Sequence, residues 1–470
     1  MPQSRYHINK LWLEAGGQYY AYSVCLSKAD VLELSGEWQQ AEELFRKNLE
    51  FAKQAGAQSQ TADSQIKLFR IMRYMGKVHD PLASLDEALT IYTELGDQPG
   101  ISQTINNIGL VYAAQGKQQK AEECFNDLIA RSRRFGDSKH LISGLGNLSQ
   151  VHMSRGRFDQ ALECLEQCAE ASLRENDSLF LSITYGTMGN VYFFQDRLDR
   201  SHEYYKKQLD LAQRLGDPAN QSIAVGNIGN INYRQGKYRE AVDCYRTKLE
   251  ISQKLDYKAG ISQSCGNLGI VHAEQEQYQT ALEYFERQLS ISEEAGDPEG
   301  REGGCCGLGM VYAKTGEYGR AREYFLKAVE IDLEAGFDKE LDSNYLQLAE
   351  VCSKAGDKTG ALDHLEKAKL SAQKNKSEDI LAKAEILEIK IAAGNDRPRI
   401  EKMLLDLLDK QPGIILEALV YFELSGITGS KKHQDQAMSR LRELYGQTFD
   451  HDYKLMITEL EKTAAREENQ

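Results

Sequence analysis

The sequence predicts an all-α protein built as a solenoid of helix pairs, and three observations predict it. Only seven prolines interrupt 470 residues, with alanine and leucine set at helical spacing. Written in rows of forty, the chain aligns: a turn glycine recurs as Gly36, Gly76, Gly116, Gly156, Gly236, Gly316 and Gly356, with Asp196 and Glu276 in the two gaps. Five residues later stands a small side chain (Ala41, Ala121, Ala161, Ser201, Ala241, Ala281, Ala321, Ala361), and four further on a large one (Phe45, Phe125, Leu165, Tyr205, Tyr245, Phe285, Phe325, Leu365). A period of this length marks units that bury their apolar faces only against their neighbours.

Each unit reads as a first helix, a tight turn and a second helix. INNIGLVYAAQGKQQKAEECF, residues 105–125, shows the whole motif. The second helix ends at a glycine suited to the left-handed C′ position, as at Gly96, Gly136, Gly216 and Gly296. Asp97, Asp137, Asp217 and Asp297 follow and can cap the next first helix, with Pro218 and Pro298 in its first turn, where a missing N–H is harmless. Nine such units are expected over 17–376. The second is irregular, with Phe69 in the glycine column and Pro81 in the alanine column, so that Asp80–Pro81 starts its second helix late. LWLEAG at 11–16 matches the tail of a second helix, so residues 1–16 are expected to form a capping half-repeat, or the chain is a piece of something longer. From 377 to 470 the columns decay into degenerate helical repeats and a last capping helix near 452–465.

Ile105, Ile108, Gly109 and Tyr112, then Ala121 and Phe125, match the tetratricopeptide repeat pattern position by position; Cys305, Leu308, Gly309, Tyr312, Ala321 and Phe325 match it again. The chain resembles that family over about 20–376, in its forty-residue form, which is similar to Pins/LGN-type spindle adaptors and kinesin light chain. The resemblance implies a right-handed superhelix of antiparallel helix pairs whose first helices line an inner concave groove. It also implies that an asparagine on those helices holds extended partners.

The asparagines raise that question independently. Asn107, Asn147, Asn227 and Asn267 occupy one position of successive first helices, although asparagine costs a helix interior roughly 0.6 kcal/mol relative to alanine. Asn107 lies roughly 150° from the apolar stripe and cannot face the second helix. Asn190 and Asn230 join the column one turn later. An amide offers a donor and an acceptor and can pair with a peptide group whatever its side chain. An extended segment rising about 3.3 Å per residue would meet units roughly 10 Å apart at every third residue. The alternative is structural: the amides bond a neighbouring unit or merely space the helices.

Two further stretches stand out. In the second unit Lys67, Arg70 and Arg73 replace the amide-type residues, so an acidic segment or C-terminus of a partner is expected there, unless the cations are paired with Glu87 or other acids. GREGGCCGLG, residues 300–309, puts five glycines in one first helix, read either as close packing or as a flexible joint.

No catalytic or metal motif appears. There is no GxxxxGK[ST], HExxH or zinc-type CxxC pair, and GLGNLS at 144–149 has no preceding strand. Cys164 and Cys168 stand one turn apart, but Cys164 shares a packing column with Cys124, Cys244, Tyr204 and Tyr284; His152 and His272 fall in the tyrosine column. A net charge of −14 argues against nucleic acid and anionic membranes as partners. MPQSRYHINK has no apolar core of a signal peptide, and nine cysteines in such a chain suit a reducing cytoplasm. The expected function is a non-enzymatic, cytoplasmic scaffold without cofactor, binding an extended protein segment. Two alternatives stay open: a sensory array belonging to a larger signalling protein, and a self-assembling structural array.

Overall fold

The computed structural model describes residues 18–34, 37–75 and 81–468, and among them it contains twenty-three helices and no strand. The expected half-repeat at 1–16, Gly36, Gly76 and Asp80 lie outside the described residues. Two compact bodies divide the chain, Met1–Val191 and Tyr192–Gln470. In each, consecutive helices pack against one another in series. The first body holds the pairs Gln18–Leu34 with Trp38–Gln54 through Ser138–Ser154 with Phe158–Arg174. The second holds Pro218–Arg234 with Tyr238–Lys254 through Asp338–Lys354 with Lys358–Asn375, then two shorter pairs and a last helix, His451–Glu468.

The columns of the sequence are the core. Ala41, Ala121, Ser201, Ala241, Ala281, Ala321 and Ala361 have no exposed surface, and Phe45, Phe125, Leu165, Tyr205, Tyr245, Phe285, Phe325 and Leu365 are at most 3% exposed. Burying one such large side chain is worth about 1.5–3 kcal/mol. Small residues are needed opposite them: a Cβ on Gly109 would stand 2.6 Å from the Phe125 ring, and one on Gly269 2.8 Å from Phe285. His272 stacks on Tyr284 as Tyr312 does on Tyr324, with ring centroids 5.5 and 5.7 Å apart. The histidine therefore does the packing work of the tyrosine column. Cys164 and Cys168 lie in the apolar core, and burial pushes the Cys164 thiol up to about 11.

Helix ends keep the register. Gly96, Gly136, Gly216 and Gly296 have φ between 63° and 71°, the left-handed conformation expected of them. Asp97, Asp137 and Asp217 accept from the backbone N–H of Gly100, His140 and Asn220, whereas Asp297 makes no such cap. The glycine-rich stretch lies in one unbroken helix, Pro298–Lys314. Its glycines are close-packed: a Cβ on Gly304 would stand 3.2 Å from the backbone of Leu289, and one on Gly307 would enter the Phe285 ring. Close approach between helices accounts for them without a joint. Among the described residues no helix is long and apolar enough to cross a membrane, and no cluster of histidine, cysteine and carboxylates could hold a metal.

Candidate functional site

The face of the first helices turned away from the second helices is where successive first helices meet. The side chains on it reach 37 to 42 residues back along the chain, to the preceding unit. Lys67 donates to Asp30 at 2.6 Å, and Arg70 grips Glu33 through Nε and Nη2, both at 2.5 Å. Arg73 is exposed at the edge. Glu87, the acid expected to neutralise this cluster, instead takes Lys53 and Gln65. Lys67 and Arg70 are thus already paired with acids of the first unit.

The asparagines divide into three kinds. Asn147 donates its amide to Asn106 at 2.8 Å, a bond between adjacent first helices. Asn230 accepts from the Tyr245 hydroxyl at 2.8 Å and so satisfies a core residue. Asn107, Asn227 and Asn267 are half-buried on the same face and have no side-chain partner among the described residues. Asn190 is half-buried as well. The structural alternative therefore describes Asn147 and Asn230.

Cavities open where these amides stand. In the first body Asn106 and Asn107 line a hollow of about 550 Å³ with Gln103 and Ser143. In the second, Asn267 lines one of about 400 Å³ between Lys258–Glu274 and Pro298–Lys314, floored by Phe285 and Gln288. Apolar side chains stand exposed beside the amides: Ile223 at 51%, Ile270 at 37% and Met310 at 38%. Such a surface alternates an amide that can read a backbone with an apolar patch that can hold a side chain.

Asn230 and Asn267 also border a third cavity, of about 340 Å³, closed on one side by His451 of the last helix. The last helices are fastened there. Asp196, whose carboxylate is only 5% exposed, accepts from the Tyr445 hydroxyl and from Lys454 Nζ, with Arg234 Nη1 3.7 Å away. Burial, with Arg234 and Lys454 nearby, lowers the His451 pKa; burial and the Asp196 bond raise that of Tyr445. None of these groups was singled out as a site residue from sequence, yet one signal existed: Asp196 stands in a glycine column and holds φ at 53°.

A tetratricopeptide repeat model matches the chain at residues 70–134, 141–214, 220–294 and 306–369. No curated protein sequence matches it. Among solved structures, a Rap protein complexed with competence and sporulation factor is 14% identical, with a TM-score of 0.49 over 76% of this chain and 99% of that one. The apo form of the quorum sensor NprR from B. thuringiensis is 15% identical, with a TM-score of 0.48 over 79% of this chain and 99% of that one. Aspartyl phosphate phosphatase F from Bacillus subtilis is 16% identical, with a TM-score of 0.47 over 77% of this chain and 93% of that one. These are likenesses of fold alone.

Proposed function

The chain belongs to the tetratricopeptide repeat family, and we propose that it acts without catalysis, as a scaffold that holds an extended segment of a partner protein against the first helices of its units. One observation supports this reading: Asn107, Asn227 and Asn267 present half-buried amides that no described residue uses. An amide kept in a helix interior at a cost of roughly 0.6 kcal/mol, and left unpaired, is suited to pairing with a peptide backbone brought to it. Asn147, Asn190 and Asn230, expected as rungs of the same ladder, are set apart in this reading, since Asn147 and Asn230 have partners within the chain. An acidic stretch of the partner could reach Lys67 and Arg70 only by exchange with Asp30 and Glu33.

The test is a displayed library of extended decapeptides selected on the full chain and on the Asn227→Ala/Asn267→Ala variant. Two net hydrogen bonds of about 0.5–1.5 kcal/mol each predict a loss of roughly tenfold in the affinity of selected peptides, with melting unchanged. A double variant that binds as well as the parent, or that melts far below it, refutes the reading.

A further inference from the structure

Gln288 stands on the second helix of unit seven, Tyr278–Ala295, and is 8% exposed. Its Oε1 is buried and has no hydrogen-bond partner among the described residues. Unmade bonds of buried acceptors are costly, so an amide kept in this state points to a donor that arrives from outside. Two glycines uncover it: a Cβ on Gly266 would stand 2.8 Å from Oε1, and one on Gly303 3.1 Å from Nε2. Both belong to the first helices that flank the cavity of about 400 Å³, so the amide faces into that space.

The charged residues of the lining are all acidic. Asp297, Glu299 and Glu302 border the cavity, and no lysine, arginine or histidine does. Asp297 is released from helix capping, unlike its counterparts Asp97, Asp137 and Asp217. Glu302 Oε1 accepts from Asn344 Nδ2 and Cys306 Sγ, both at 3.0 Å, while no bond from a described residue fixes Oε2. Burial and Glu302 push the Cys306 thiol up, which keeps it a protonated donor. Ile270, Met310 and Phe285 supply an apolar wall.

We propose that this cavity is a subsite for the basic side chain, arginine or lysine, of the segment bound along the first helices. A guanidinium or ammonium carries donors and no acceptor, which matches an orphaned carbonyl oxygen in a cavity that carboxylates border. Its aliphatic stem suits the apolar wall. Backbone N–H groups would satisfy Gln288 but leave the carboxylates without a counter-charge, and an anionic side chain is disfavoured by them. Asn267 at the same cavity would hold the backbone beside the inserted side chain.

The subsite rests on the peptide-binding reading, but its test does not. The probes are N-acetyl-arginine methylamide, its lysine counterpart and the neutral isostere N-acetyl-citrulline methylamide, titrated by calorimetry against the full chain. The basic probes should saturate, at least one of them binding fivefold or more tighter than citrulline. Glu302→Gln removes the held charge; Gly303→Met fills the space while removing a helix glycine, so it keeps the test valid if the first variant disturbs Asn344. Each should weaken the basic probes at least fivefold, with the melting temperature of the Gly303 variant retained. Equal binding of citrulline, no saturable binding of either basic probe, or full affinity in both variants overturns the subsite. Library peptides that depend on Asn267 but show no basic preference at any position would also overturn it and leave the groove standing. Basic probes that bind where no peptide does would uphold the subsite and sink the peptide reading.

Discussion

Replacing Asp196 by glycine, the residue that seven other units place at this turn, should loosen the last helices of the chain instead of stabilising the turn. Asp196 holds φ at 53°, a left-handed conformation whose relief by glycine is worth roughly 1 kcal/mol. Against that gain stand its bonds to Tyr445 and Lys454, with Arg234 at 3.7 Å. Bonds to a charged acceptor are worth about 1.5–3 kcal/mol each, discounted here because Lys454 is 40% exposed. The balance is a net loss of about 1–3 kcal/mol. Since the acceptor is 5% exposed, the loss should fall on the helices it fastens, Lys431–Thr448 and His451–Glu468. Native-state hydrogen exchange reads this directly: protection there should drop by roughly five- to a hundredfold, while the helices of units three and four keep theirs. Asp196→Asn tolerates the left-handed turn and loses only the charge, so it should fall between parent and glycine variant. Unchanged protection in both variants, or a glycine variant with tighter last helices, would refute the fastening role.

Burial, with Glu302 and Glu340 nearby, raises Asp332 from 3.8 to about 6. The folded state then binds the proton more tightly than the unfolded chain, so stability is largest below pH 4 and falls as pH rises through 6. That rise is worth about 3 kcal/mol at most; Asp332→Asn should therefore raise the melting temperature at pH 7 and lose that advantage near pH 4, and a variant that melts lower at both would sink the assignment. In the glycine-rich helix, Gly307→Ala should destabilise by about 1–3 kcal/mol because the new methyl enters the Phe285 ring, whereas Gly303→Ala meets only the end of Gln288 and should be neutral or stabilising. Equal melting of the two would remove the packing account, and hydrogen exchange faster at 300–309 than at 221–235 would restore the joint. If an acidic segment docks by exchange in unit two, Asp30→Asn with Glu33→Gln should tighten an acidic peptide in a salt-sensitive way and Arg70→Glu should abolish it; no change in either direction retires that part of the reading.

The helices, their ends and their core were legible because each is set within one forty-residue unit. Phe285 is buried with Ala281 and against Gly269, both placed by the same short pattern that places Phe325 or Phe125, so one aligned column predicts many contacts. The Asp196 fastening obeys no such rule. Its partners Tyr445 and Lys454 stand 249 and 258 residues away, in a stretch where the columns have decayed. Only the exception at the turn itself, an aspartate where glycine is expected, marked the place. Gln288 was hidden for a different reason: a glutamine on a second helix looks like any solvated side chain until the glycines of two adjacent first helices are seen to uncover it.

The asparagine ladder shows how far column reading goes and where it stops. Asn190 and Asn230 stand in the column one turn after the main one, and the large core residues fifteen positions later are Tyr205 and Tyr245. Every other unit has phenylalanine or leucine in that core column and no asparagine in the earlier one. The Tyr245 hydroxyl bonds Asn230, so the pairing has a physical cause: a tyrosine buried at 3% exposure needs a partner for its hydroxyl, and phenylalanine does not. Asn147 is likewise explained by Asn106, the only asparagine at that point of a first helix, one unit back. Both explanations were available in the sequence as correlations between columns and were missed by reading the columns one at a time. What they leave unexplained is Asn107, Asn227 and Asn267. On a helix face where Asn147 and Asn230 have partners within the chain, the three with none among the described residues are the ones the proposed peptide reading rests on.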